Sequence, residues 1–318
     1  MAPSPAFAQF PYYHPLTARA EGMGGAATAD RKDGANAWAN PAVVADIDNV
    51  TLAACYSSYS IEPLDFTIQS AFSGVGYTSS NEQLRIGGAL GAAYHRETIE
   101  SNGPAQSQVE DTFHMFGGMS IASRILRFAV GVAAKTYSVP LLAGDQERAW
   151  LADVGALATW SLPELKEWSS DFSVGISQMN IGDPVLDPLA GPVDAITTRR
   201  LGTGLAVSSP TRSRRYLEIF GSTSSVAASV AFDVEEATDD DGHWRYSLGG
   251  EVSILQLIMV RGGYVHNDLQ LRGARDATFG AGLQFMTSRF GGRLDYARWP
   301  NYHDVYSNVF GLSLFVGL

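Results

Sequence analysis

The stretch WRYSLGGEVSI, Trp244 to Ile254, decides the fold. Trp244, Tyr246, Leu248, Gly250, Val252 and Ile254 share one parity, and Arg245, Ser247, Gly249, Glu251 and Ser253 share the other. Side chains of an extended chain point to alternate faces, so this segment reads as a strand with one apolar and one polar face. The pattern recurs outward along the chain. Leu84, Ile86, Leu90 and Tyr94 oppose Arg85, Gly87, Gly91 and His95, and Phe128, Val130 and Val132 oppose Arg127, Gly131 and Lys135. Leu294 and Tyr296 oppose Arg293 and Asp295. At the end of the chain Tyr306, Phe310, Leu312, Leu314, Val316 and Leu318 oppose Ser307, Gly311, Ser313 and Gly317.

Alternation fits two architectures. In a soluble sandwich the apolar faces form the core; in a membrane barrel they meet lipid and the polar faces line the lumen. Two features favour the barrel. The polar faces are rich in Gly, Ala and Ser, where a solvated sandwich face would carry more Lys, Glu and Thr. Their scattered charges, Arg85, Arg127, Asp153, Asp233, Arg245, Glu251, Arg261, Arg293 and Asp295, become candidates for pairing across a lumen, the alternative being that they are simply solvated. The connections are the second feature. Strands read near 49–60, 66–77, 83–97, 111–122, 125–137, 149–161, 171–181, 198–208, 216–236, 244–254, 257–266, 275–286, 289–298 and 305–318. Tight turns fall at Ser123-Arg124, Leu255-Gln256 and Thr287-Ser288, and longer links run over Ile99–Glu110, Ser138–Arg148, Gly182–Thr197, Asn267–Arg275 and Pro300–Asp304. Short turns at one end and long loops at the other describe an outer-membrane barrel.

The expected fold is therefore all-β, a 14-stranded antiparallel transmembrane β-barrel of the bacterial outer membrane. The segment 216–236 is long for one plain strand and reads as bulged near Gly221–Ser225. Trp150, Trp160, Trp244, Tyr264, Tyr296 and Trp299 are candidates for interfacial aromatic girdles. Arginine at Leu248 should be costly, and at Ser247 tolerated if the lumen has room.

Composition narrows the function. The 318 residues include 22 basic and 33 acidic ones, for a formal charge of −11, which is unsuited to gripping a phosphate backbone, so no nucleic-acid partner is expected. The single cysteine, Cys55, excludes an internal disulfide and a cysteine-based zinc site. No apolar run approaches the roughly 18 residues of a membrane helix, which leaves barrel strands open. Gly22, Gly24 and Ala27 fit G-x-G-x-x-A, yet follow no apolar strand, as a dinucleotide loop must. Thr238–Gly242, TDDDG, lacks acidic residues at the first and twelfth calcium-loop positions. The six histidines show no metal-type spacing, although His95 and His114, on adjacent strands, are placed to meet in the lumen. No serine lies in a G-x-S-x-G context. No catalytic residue, metal or cofactor is assigned, and a non-enzymatic role is expected. Proline-rich Gly182–Thr197 reads as an irregular outer loop, open to partner contact.

The N-terminal residues carry a resemblance. In ARAEGMGGAATADRKDGANAWANPAVVAD, Ala18 to Asp46, the residues Arg19, Gly22, Met23, Gly24, Asn36, Trp38, Asn40, Pro41 and Ala42 resemble the N-terminal signature of the FadL superfamily of outer-membrane barrels, closest to its PorV/PorQ branch. LIMVRGGYVHND, ATFGAGLQF and the stretch from Arg289 to Leu318 look like the last four strands of that branch. The chain ends in Leu318 where many barrels end in Phe, although Gly311, Leu314 and Val316 keep the terminal spacing.

The resemblance implies a small N-terminal plug in the lumen. The chain then divides into a plug at 9–48 and a barrel at 49–318, preceded at 1–8 by a signal-peptide remnant that the A-x-A signal Ala6-Phe7-Ala8 suggests, the alternative being a chance alanine-rich start. Independently, residues 22–48 lack period two, their small residues permit close backbone approach, and Pro41 suits the first turn of a short helix capped by Asn40. FadL-type relatives pass hydrophobic compounds through a lateral opening, whereas PorV/PorQ relatives attend type IX secretion and hand over or anchor secreted proteins. Two functions follow. A secretion-associated or surface scaffold would have a blocked lumen and protein partners on its extracellular loops. A FadL-like channel would have an apolar pocket for a small hydrophobic ligand and a kinked strand. Outer-membrane lipid is a partner on either.

Overall fold

The computed structural model describes residues 17–316 except positions 32 and 48 and the segments 62–63, 81–84, 102–107, 124, 141–145, 166–167, 183–184, 188–190, 194–196, 210–225, 238–243, 268–274, 288–289 and 303–304. The cleavage signal at 6–8, TDDDG at 238–242, the bulge proposed at 221–225, and Gly317 and Leu318 lie outside the described residues.

Fourteen strands close one antiparallel barrel. The first seven are β1 (Val50–Ile61), β2 (Leu64–Ser80), β3 (Arg85–Ser101), β4 (Gln108–Ala122), β5 (Leu126–Pro140), β6 (Gln146–Leu165) and β7 (Trp168–Gly182). A two-stranded sheet, β8 (Val185–Asp187) with β9 (Gly191–Val193), interrupts the series. The wall continues with β10 (Thr198–Ser208), β11 (Val226–Ala237), β12 (Trp244–Ile254), β13 (Ile258–Asn267), β14 (Arg275–Met286), β15 (Phe290–Tyr302) and β16 (Val305–Val316). Closure joins the first and last strands: Val50 pairs with Val316 and Ser58 with Asn308. No strand edge is left, as hydrocarbon requires.

Three sequence expectations need correction. Of the segment 216–236 the structure describes 226–236, which lie in β11, and Ser209 N–H donates to the Val226 carbonyl at 2.8 Å. The loop Gly182–Thr197 contains β8 and β9, each too short at three residues to show a period. The link 62–63 is short at the long-loop end, and 209–225 is long at the short-turn end. Trp299 is no girdle residue. It has the inward parity of Arg293 and Asp295 and is 4% exposed, packed with Ala18, Val265, Ala297 and Val309.

The lipid face follows the alternation. Leu248 is 49% exposed, Leu90 68%, Met119 65% and Phe279 61%, while Ser247 is 1% exposed on the opposite face of the same strand. Such an apolar belt around a closed wall has hydrocarbon as its solvent. The chain is an outer-membrane β-barrel, and no helix among the described residues is long and apolar enough to cross a membrane. Trp150, Trp160, Tyr264 and Tyr296 are exposed on this face, and Trp244 is half-buried beside Tyr246.

Leu248→Arg should cost about 2–4 kcal/mol near the bilayer midplane. Ser247 is 1% exposed and makes a poor comparison site. Ser253 borders an open cavity and offers the fair comparison. Urea unfolding in lipid should find Ser253→Arg close to wild type and Leu248→Arg clearly weakened. Equal losses would contradict the assigned faces.

Candidate functional site

The lumen is the candidate site, and the described residues of 17–47 occupy much of it. Thr17 Oγ1 accepts from Ala20 N–H at 3.0 Å and starts helix α1 (Ala18–Gly22). The chain then turns through Gly24 at φ 68°. Asp33 accepts from Ala35 N–H at 3.1 Å and opens a 3-10 turn, Gly34–Trp38. Asn40 caps a second, Pro41–Asp46: its Oδ1 accepts from Ala42 N–H at 3.0 Å while its Nδ2 donates to the Thr28 and Ala156 carbonyls at 2.9 and 3.1 Å. One amide thus joins the cap, a distant part of the same segment and the wall strand β6.

The segment circles the inner wall and meets a glycine on strand after strand. Ala18 lies at Gly311 of β16, Gly22 at Gly280 of β14, and Met23-Gly24 at Gly263 of β13 and Gly249 of β12. Thr28 lies at Gly202 of β10 and Gly175 of β7, Asn40 at Gly155 of β6, Pro41 at Gly131 of β5, Val44-Ala45 at Gly118 of β4, and Ile47 at Gly76 of β2. A methyl group at Gly249 would overlap the Met23 carbonyl, and one at Gly131 would overlap the backbone of Pro41. These glycines are needed for close approach of two backbones. The order is monotonic: residue numbers in the segment rise as wall strand numbers fall.

Ion pairs fasten the two layers. Arg19 donates from Nε to Glu251 of β12 at 3.0 Å and also pairs with Asp30. Glu251 accepts from Arg261 of β13 at 2.8 Å, and Arg261 reaches Asp295 of β15 at 2.7 Å. Asp295 accepts from Arg293 at 2.6 Å, and Arg293 pairs with Asp33. The chain of charges leaves the segment at Arg19, crosses the wall and returns to the segment at Asp33. Away from water each member depends on its partners, because an unpaired buried charge is expensive.

Other predicted charges are also placed. Arg127 pairs with Asp46. Arg245 shares Glu235 with Arg200, both at 2.9 Å. Asp233 accepts the N–H groups of Ala27 and Thr28, both at 2.8 Å. Asp153 accepts from Lys135 at 2.7 Å and from Asn180 N–H at 2.8 Å, where the β6–β7 register shifts and Asn180 adopts φ 60°. Arg85 is the exception. It has inward parity, but as the first residue of β3 it is exposed at the rim. Among the signature residues, Arg19, Gly22, Met23, Gly24, Asn36, Asn40, Pro41 and Ala42 are buried and Trp38 is half-buried. The Trp38 ring lies 3.7 Å, centroid to centroid, from His114 and 6.2 Å from His95, so it contacts both histidines.

Sequence reasoning missed Asp30, Asp33 and Asp46, which lie in a segment without period. Glu235 and Arg200 could have been found, since they share the parity of Asp233 and Gly202. Beneath the segment, at the short-turn end, a cavity of about 340 Å³ is lined by Ser169, Asp171, Ser208, Ser253, Gln284 and Arg293, among others. A smaller one of about 130 Å³ lies beside β7, β10 and β11. Both linings mix polar and apolar groups.

No protein-family model and no curated protein matches the chain. Solved structures do. The toluene transporter TbuX of Ralstonia pickettii is similar at a TM-score of 0.56 and 10% identity, covering 95% of this chain and 97% of its own. A Pseudomonas aeruginosa FadL homologue gives 0.51 and 12%, covering 96% and 99%. The monoaromatic hydrocarbon channel CymD gives 0.51 and 12%, covering 95% and 97%. At such identity the likeness is one of fold.

Proposed function

We propose that this outer-membrane barrel is closed and non-enzymatic, and that it works at its rims and loops as a secretion-associated or surface-protein scaffold of PorV/PorQ type. The observation that supports this reading is the seating of residues 17–47 on the wall: glycine contacts on strands from β2 to β16 and a buried ion chain that holds Arg19 and Asp33 leave the segment little freedom to swing aside. On this reading residues 9–48 form a plug unit and 49–318 the barrel. The partners are secreted or surface proteins on the extracellular loops.

A second reading is a FadL-like channel for small hydrophobic compounds. It draws support from the fold shared with the toluene transporter and the hydrocarbon channel. The larger cavity has charged groups, Arg19, Glu251 and Arg293, beside apolar Val207 and Met259, a mixed lining rather than the apolar pocket such a channel needs. Cells lacking the protein distinguish the two. The scaffold reading expects surface-exposed proteins to be lost or released while uptake of monoaromatic compounds is unchanged. Impaired uptake with an intact surface proteome would overturn it in favour of the channel.

A further inference from the structure

The lipid face has unequal rims. On β15 the lipid-facing positions run Phe290, Leu294 and Tyr296, and the next is Arg298. On β3 Tyr94 is followed by Arg96, on β10 Leu201 is adjoined by Arg199, and on β14 the series from Phe285 ends at Arg275. All four arginines are exposed and lie at the long-loop end. The opposite ends of these strands carry Phe290, Ile86, Val207 and Phe285 on the same face. Lipid-facing positions on one strand are spaced about 6–7 Å apart, so each arginine stands about one such step beyond the hydrocarbon belt.

The four are not equivalent. Arg96 donates from Nε to Asp111 at 2.8 Å, which neutralises it locally. Arg298 has no carboxylate at ion-pairing distance among the described residues. Its guanidinium lies 4.3 Å from the centroid of the Tyr306 ring on β16, and the Tyr306 hydroxyl is held by Asp276. Stacking on an aromatic face leaves the guanidinium N–H groups directed sideways for a bidentate acceptor. Asn308 pairs across from Arg298 and accepts from the Tyr296 hydroxyl at 2.8 Å, which leaves its amide N–H groups as further donors.

We propose that Arg298, with Tyr306 and Asn308, forms a binding site for the phosphate of an outer-leaflet glycolipid, the acyl chains lying along Tyr296, Leu294 and Phe310. Arginine is suited to this task by its planar fork, and its position past the belt puts the fork at headgroup level. The site is independent of whether the lumen conducts.

The test uses the full-length protein in nanodiscs that contain bisphosphorylated lipid A or the same lipid stripped of phosphate, with retained lipid counted by native mass spectrometry. Wild type should prefer the phosphorylated form about tenfold, the scale of one charge-assisted hydrogen-bonded pair. Arg298→Gln should lose that preference, Arg298→Lys should keep part of it, and Arg85→Gln, at the other rim, should leave it intact. Heat-shifted migration on gels verifies that each variant is folded. Equal retention of both lipids by wild type, or an unchanged preference in folded Arg298→Gln, would overturn the proposal. Displacement of the lipid by millimolar inorganic phosphate would reassign the site to a free anion and overturn it as well.

Discussion

Gly249→Val is expected to unseat the plug. The Met23 carbonyl occupies the space into which a side chain at position 249 would extend, and the nearest atoms are all backbone. On the neighbouring strand Gly263 meets the same turn, and Gly24 itself lies against the Leu248 and Tyr264 carbonyls, so neither layer can yield by rotating a side chain. Overpacking alone costs about 1–3 kcal/mol. Moving the turn away also breaks the hydrogen bond from Gly24 N–H to Thr278 Oγ1, 3.0 Å long. The adjacent Gly250 is the control. A methyl group there would lie 3.5 Å from the Ser229 carbonyl, an ordinary contact, so Gly250→Ala should behave as wild type. In planar bilayers Gly249→Val should give conductance steps absent from wild type and Gly250→Ala. Identical silent traces from all three folded proteins would refute the close contact.

Arg261→Met should be the most damaging change among the luminal charges. Arg261 is the link between Glu251 and Asp295, and both carboxylates are buried. Without it the two arginines at the ends of the chain, Arg19 and Arg293, face Asp30, Asp33, Glu251 and Asp295. Removing one member of a buried ion pair typically costs about 3–5 kcal/mol. Glu251→Gln in the Arg261→Met background should therefore cost less than in wild type, because it removes one of the uncompensated charges. Urea unfolding of the four proteins of this cycle measures the difference. Strict additivity would show that the chain does not act as a unit.

The wall was legible because the barrel enforces a period of two on every strand. Trp244–Ile254 alternates in the structure as it does in the sequence, with Leu248 outside and Ser247 and Glu251 inside. Parity fails where a strand meets water or a link. Arg85 has the inward parity but stands at the rim, and the aromatic character of Trp299 suggested a girdle although its parity pointed inward. The luminal segment was legible in its residue types, since small residues, Asn40 and Pro41 fit a narrow space with a capped turn. Its route was not. Which wall glycine meets which residue depends on contacts more than two hundred positions apart, as between Arg19 and Glu251, and no local pattern encodes them. The acids Asp30, Asp33 and Asp46 were hidden for the same reason.

Single-channel recording of the wild-type protein in planar bilayers bears most directly on the closed lumen. With residues 17–47 seated on the wall glycines, the wild type should add no stable conductance above the bare bilayer, and a protein lacking 22–42 should open or fail to hold its fold. Large, long-lived steps from intact, fully folded wild type would contradict the closed barrel.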